Sequence, residues 1–124
     1  MVNSGLRTKK TYLKYIELQK KGLLLNGCRL CKKPKSIKEF KYWRITHNSF
    51  PWDLVSRTNY LLIPKRHTVY SKLNSKEKKE FDLIKATYVG EHYEIMLEVT
   101  DKMKSIPSHF HVHLINLKKK LNIV

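Results

Sequence analysis

The sequence has no apolar run approaching the roughly 18 residues that a membrane span needs. The stretch from Leu23 to Leu25 is far too short. Residues 1–10 are polar and lack the apolar segment of a secretory signal. Cysteine is scarce: two residues, Cys28 and Cys31, separated by Arg29 and Leu30. A reducing, cytoplasmic setting suits such a thiol pair. Acidic residues are also few, 10 against 26 Lys and Arg, for a formal net charge of +16. A field of that sign attracts nucleotides, nucleic acid or acidic surfaces without choosing among them, and a Lys-rich solvated surface would carry it equally. No internal repeat is visible, and there is no second Cys-His finger of the kind that binds DNA.

The 124 residues fit one domain, 1–124. Ordinary apolar content predicts a folded globule. Residues 1–26 read as an added N-terminal helix and 27–117 as the main body. The spacing of Tyr12, Tyr15, Ile16 and Leu23 predicts a helix over 8–24, with Ser4 or Thr8 as cap and Gly27 just past its end. A Lys-rich loop over 27–37 carries the cysteines. Strands are predicted over 40–45 and over 58–63, the second closed by Pro64. A helix follows, capped by Asn74 or Ser75, with Glu77 and Glu80 in its first turns. Phe81, Ile84, Tyr88 and Val89 form its apolar stripe, and Gly90 is its expected stop. Residues 92–99 shift to period two and predict a strand. A competing reading continues the helix through Lys104. Residues 108–115 predict a last strand, antiparallel to the one before, and the basic stretch 118–124 reads as peripheral.

The chemistry concentrates in His109-Phe110-His111-Val112-His113-Leu114-Ile115. In an extended chain the three imidazoles share one face and Phe110, Val112 and Leu114 the other. The apolar face explains itself as core. Three imidazoles together would repel if protonated, so a site that keeps them neutral beside an anion accounts for them better. Residues two apart on a strand stand roughly 6.5–7 Å apart. That spacing is too wide for one metal to use all three, given Zn–N bonds of about 2.1 Å.

This run resembles the signature of the histidine-triad (HIT) superfamily. Leu61-Leu62-Ile63-Pro64-Lys65-Arg66-His67 looks like that family's strand and Ile-Pro-Lys-x-His turn. Asn48-Ser49-Phe50-Pro51-Trp52 is similar to its Asn-x-aromatic-Pro-aromatic stretch, and Cys28-x-x-Cys31 resembles its zinc-binding subset. The resemblance covers residues 28–115. It implies an α+β fold, with a mainly antiparallel sheet of about five strands and a long helix, assembled as a homodimer. It also implies hydrolase or nucleotidyl-transfer chemistry at an α-phosphate. By motif position His111 would be the nucleophile and His113 would orient the phosphate. Asn48, Phe50, Pro51 and Trp52 would line the nucleotide pocket.

The spacing of Cys28 and Cys31 alone fits a zinc pair, a redox pair or two unrelated thiols. The resemblance adds His67 and His109 as the remaining ligands of a structural Zn2+ site, leaving His111 and His113 for phosphate. Two departures stand out. Residues 104–108 replace the family's phosphate-cradling segment before the triad: Ile106 stands where Ser or Thr is expected, and Pro107 lacks a backbone donor. Ser105 and Ser108 are the candidate substitutes. Asn59-Tyr60 replaces a Gly-His pair, and the stretch from His67 to His109 is short for the family.

Other candidates are His47 near the turn, His92 as a structural residue, Lys65 and Arg66 as phosphate-steering charges, and Trp43 and Trp52 as base-stacking or core rings. The expected ligands are a nucleotide or dinucleoside polyphosphate. Two alternatives remain: a nucleic-acid-binding protein that processes adenylylated ends, and a catalytically silent nucleotide-binding module.

Overall fold

The structure, a computed structural model, describes residues 6–21, 28–32, 35–103 and 106–118. Over these residues the fold is α+β: five strands in one antiparallel sheet, with two helices longer than a single turn. The strands are β1 (Lys38–Glu39), β2 (Trp43–His47), β3 (Ser56–Pro64), β4 (Ile95–Leu97) and β5 (Val112–Leu117), in the order β1-β2-β3-β5-β4. Helix α1 spans Lys9–Lys20 and α2 spans Ser75–Ile84. None of the described helices is long and apolar enough to cross a membrane.

β3 lies between β2 and β5 and is buried on both faces, which its Leu61-Leu62-Ile63 run dictates. Leu62 faces the main core with Trp43, Ile45, Phe81, Ile84, Phe110, Val112 and Leu114. Trp43 stacks on Phe81 from α2, with ring centroids 4.6 Å apart. Leu61 and Ile63 point the other way and pack with Leu30 into a smaller cluster that Cys28 and Ile106 border. That second face carries the site.

α2 starts as its sequence requires. The Asn74 side chain accepts from Glu77 N, and Glu77 accepts in return from Asn74 N, a complete capping box. Glu77 is only 3% exposed and is also bound by Arg66, with Arg66 Nη2 2.7 Å from Oε1. The Arg66 hydrogen bond, followed by the Asn74 backbone donor, holds the carboxyl below the usual range against the effect of burial.

Several boundaries differ from the sequence expectation. α1 ends at Lys20, not Leu24, while its N-cap is Thr8 as expected; Ser4 and Gly27 lie outside the described residues. β2 begins at Trp43, because residues 40–42 form a turn back to β1. Glu80 of α2 holds that turn by accepting from Lys41 N and Tyr42 N. β3 runs two residues further back than expected, to Ser56, with an irregularity between Ser56 and Thr58.

Gly90 does not stop the second helix. Its φ of −62° and ψ of −25° are ordinary helical values. The chain passes through a π-helical segment, Lys85–Val89, and one more α turn, Gly90–His92. The helix ends where Tyr93 turns extended, so the reading that continued it through Lys104 is overturned. β4 covers only Ile95–Leu97 of the expected 92–99, and it pairs antiparallel with β5 as expected. β5 starts at Val112, after His109 and His111, and runs two residues past Ile115.

Candidate functional site

The alternation read from the sequence holds although only His113 of the three histidines lies within a strand. Phe110, Val112 and Leu114 enter the main core, and the three histidines are buried on the opposite side. The three do not share one role, because the chain reaches two different sites along this segment.

His109 turns toward the cysteine loop. Its Nδ1 lies 3.4 Å from Cys28 Sγ, 3.3 Å from Cys31 Sγ and 3.2 Å from His67 Nδ1. Cys31 Sγ is 3.2 Å from His67 Nδ1. All four donor atoms lie within 4.8 Å of one another. A tetrahedral centre with bonds of about 2.0–2.3 Å spaces its ligand atoms by about 3.3–3.8 Å, so the four fit one metal ion. The protonation pattern fits as well. His109 Nε2 donates to the Pro64 carbonyl at 2.9 Å, which puts the ring proton there and aims the Nδ1 lone pair at the cluster. Arg44 supports the loop from β2, donating to the Leu30 carbonyl at 3.0 Å and to Ser36 Oγ at 3.1 Å. Burial lowers the His109 pKa and raises that of Cys31. Cys28, Cys31, His67 and His109 therefore form a candidate metal site of two thiols and two imidazoles.

His111 and His113 line a separate cleft, with Asn48, Ser49, Trp52, Leu61 and Ile106 among its other walls. The cleft is narrow, with about 50 Å³ of enclosed volume, and opens to solvent at its mouth. Both tautomers are set by their neighbours. His111 Nδ1 donates to the His109 carbonyl at 2.9 Å, so its lone pair is at Nε2. For His113 the determinant is Asn59. The Asn59 Oδ1 accepts from Trp52 N at 2.9 Å and from Asn48 Nδ2 at 3.1 Å, which fixes the amide orientation. Its Nδ2 then donates to His113 Nδ1 at 3.1 Å, and the His113 proton is at Nε2. The His113 ring also stacks on Trp52, centroids 4.0 Å apart. Burial first, then His111 and Arg7, push its pKa down to about 3, so this ring is neutral at ordinary pH. The two rings thus hold opposite tautomers, His111 protonated at Nδ1 and His113 at Nε2.

The remaining candidates divide. Asn48 and Trp52 line the cleft, but Asn48 also holds its own turn, accepting from Phe50 N at 3.0 Å. Phe50 is buried against Tyr15 of α1 and, like Pro51, is not among the cleft-lining residues. Ser108 is exposed and likewise does not line it, while Ser105 lies outside the described residues. Lys65 pairs with Glu39 and Arg66 with Glu77, so neither reaches phosphate from its observed position. Trp43 is core. His47 is exposed beside Tyr60, and His92 stacks on Tyr88 and bonds its carbonyl.

Three site residues escaped the sequence reading. Asn59 stood out only as a departure from a motif; a lone amide inside an apolar strand was its signal. Arg29 and Arg7 also line the cleft. Arg29 had a signal in its place between the two cysteines. Arg7 had none, because only the docking of α1 brings it there.

No family model matches the chain, and neither curated proteins nor solved structures gave a match.

Proposed function

We propose that this chain is a HIT-like nucleotide hydrolase or nucleotidyl transferase that works through a nucleotidyl group carried on His111. The observation that carries the reading is the complementary tautomer pair in one cleft: His111 with its proton held at Nδ1, and His113 with its proton held at Nε2. The Nε2 lone pair of His111 attacks the α-phosphorus, and the bond to the leaving group breaks with its electron pair departing on that group. Water then cleaves the N–P bond and returns the imidazole, or another acceptor takes the nucleotidyl group. The neutral His113 donates its Nε2–H to a phosphoryl oxygen. Leu61, Val99, Met103 and Ile106 give the cleft an apolar lining suited to a base or sugar.

Cys28, Cys31, His67 and His109 would hold Zn2+, which matches their two-sulfur, two-nitrogen donor set. Its role there is structural: it ties the cysteine loop to the segment that carries His111. The thiolate ligands support a reducing, cytoplasmic location. The homodimer remains part of the proposal, read from the resemblance alone, and sedimentation would test it.

The test is to trap the adduct. Incubation with ATP labelled at the α-phosphate, diadenosine polyphosphate or adenosine phosphoramidate should give an acid-labile label on His111 and turnover that His111→Ala abolishes. Absence of both with every substrate would leave a silent binding module. The net charge of +16 suits, without selecting, one further substrate form, an adenylylated nucleic-acid end. Steeply salt-dependent binding of short DNA or RNA is its mark.

A further inference from the structure

Deepening the nucleotide reading and resting on it, we propose that the cleft selects a ligand with two or more linked phosphates, held beyond the phosphate at His111 by Arg7 and Arg29.

Both guanidinium side chains line the same cleft as His111 and His113. They arrive from unconnected parts of the chain, Arg7 just before α1 and Arg29 from between the two cysteines. Both are half-buried, and each is held by contacts that leave most of its hydrogen-bonding fork unengaged by those contacts. Arg7 donates from Nε to the Phe50 carbonyl at 2.8 Å and lies over the Tyr15 ring at 5.1 Å. Arg29 lies over the Phe50 ring at 5.3 Å. One aromatic pair, Tyr15 against Phe50, thus seats both heads.

Their electrostatic surroundings are unfavourable. Burial lowers the pKa of Arg7, and the Arg29 charge lowers it further, so the two cations stand close enough to repel. Asp53 favours Arg7 but is already bound by Thr8 and Thr11. Two half-desolvated cations in mutual repulsion are stabilised by an anion between them.

Charge matching sets the class of ligand. His113 meets a phosphate without charge of its own. Two guanidiniums add two positive charges, more than the single charge of a nucleoside phosphoramidate's diester-like phosphate requires. A nucleoside di- or triphosphate, a dinucleoside polyphosphate or a diphosphate-linked chain end matches them, and the Arg fork suits phosphate oxygens. The leaving group is then a phosphate. When His111 Nε2 bonds to the α-phosphorus, the bridging P–O bond breaks, and its electron pair stays on the departing oxygen beside the guanidiniums.

Calorimetric binding of inorganic tripolyphosphate and of AMP to the full chain tests this. Wild type should bind tripolyphosphate more tightly than AMP. Arg29→Gln should weaken tripolyphosphate by about tenfold or more and AMP by much less, with partial recovery in Arg29→Lys. Lys79→Gln, which removes the same charge from the exposed face of α2, should leave the preference intact. Arg7→Gln is run with a thermal melt, since it also releases the Phe50 carbonyl; Arg29 carries the test if it unfolds. Equal losses for both ligands in Arg29→Gln, an equal loss in Lys79→Gln, or no wild-type preference would overturn the clamp. The two readings fail separately. Arg29-dependent tripolyphosphate binding without any nucleotidyl adduct sinks the catalytic reading alone. An adduct formed equally from phosphoramidate and polyphosphate, and unchanged by Arg29→Gln, sinks the clamp alone.

Discussion

Asn59 shows how one side chain can set the chemistry of another. Its amide is read from one side by Trp52 N and Asn48, and it writes the result onto His113. Asn59→Ala removes the acceptor of a buried backbone N–H and the donor that fixes the ring. We expect a loss of about 1–3 kcal/mol in denaturant unfolding. Nitrogen-15 spectra should show His113 moving from a single Nε2–H tautomer to a mixture. His113 itself should not gain charge in the folded protein between pH 8 and 5, because its pKa is lowered from 6.5 to about 3. The unfolded ring binds a proton in that window and the folded one does not. Its contribution to stability is therefore complete above about pH 6.5 and is lost progressively on acidification toward about pH 3. Proton NMR of the ring signals checks this; a His113 signal titrating near 6.5 would contradict it.

Glu77 joins three functions at the start of α2: cap partner for Asn74, ion-pair partner for Arg66, and, through its carbonyl, acceptor for Trp43 Nε1 at 2.9 Å. Glu77→Gln should cost about 2 kcal/mol near neutral pH, since one partner of a mostly buried charged hydrogen bond is lost while Arg66 can turn to solvent. The sign of its pH dependence follows from the lowered pKa. The contribution is complete above the ordinary carboxyl pKa of 4.5 and disappears as pH falls through the folded value, so wild type and variant should converge in acid. Chemical denaturation at a series of pH values measures it.

This element was legible in advance because Asn74, Glu77 and Glu80 are local signals. So was the alternation over residues 109–115, because a period of two survives even where strand pairing has not begun. The ends were less legible. The π segment adds a residue to the turn around Lys85–Val89, which an α-helical period does not reveal, and Gly90 looked like a stop only on the assumption that it would turn left-handed. The alternation of 92–99 reports which faces are apolar, not how many residues find a partner on β5.

At the scale of the whole molecule, the two sites share the segment from His109 to His113, and the cysteine loop serves both: its thiols face the candidate metal site and Arg29 the cleft. Metal removal should therefore act at a distance. Chelation, or Cys31→Ser, should abolish stoichiometric zinc, lower the melting temperature by several degrees and weaken tripolyphosphate binding in parallel. Elemental analysis paired with a thermal melt decides it. The N-terminal helix closes the same region from the other end. Asp53 accepts from Thr8 and Thr11, Leu54 N bonds the Leu6 carbonyl, and Tyr15 packs on Phe50. Asp53→Ala should loosen α1 first, seen as faster amide exchange over 9–20 with the exchange of β3 and β5 unchanged.

The stacking of Trp52 on His113 gives the molecule a built-in optical reporter. The sequence has two tryptophans, and the other, Trp43, is sealed in the core against Phe81. In a Trp43→Phe background a single emitter would remain. Its intensity and wavelength would follow what enters beside that imidazole, letting occupancy be watched in real time without any label.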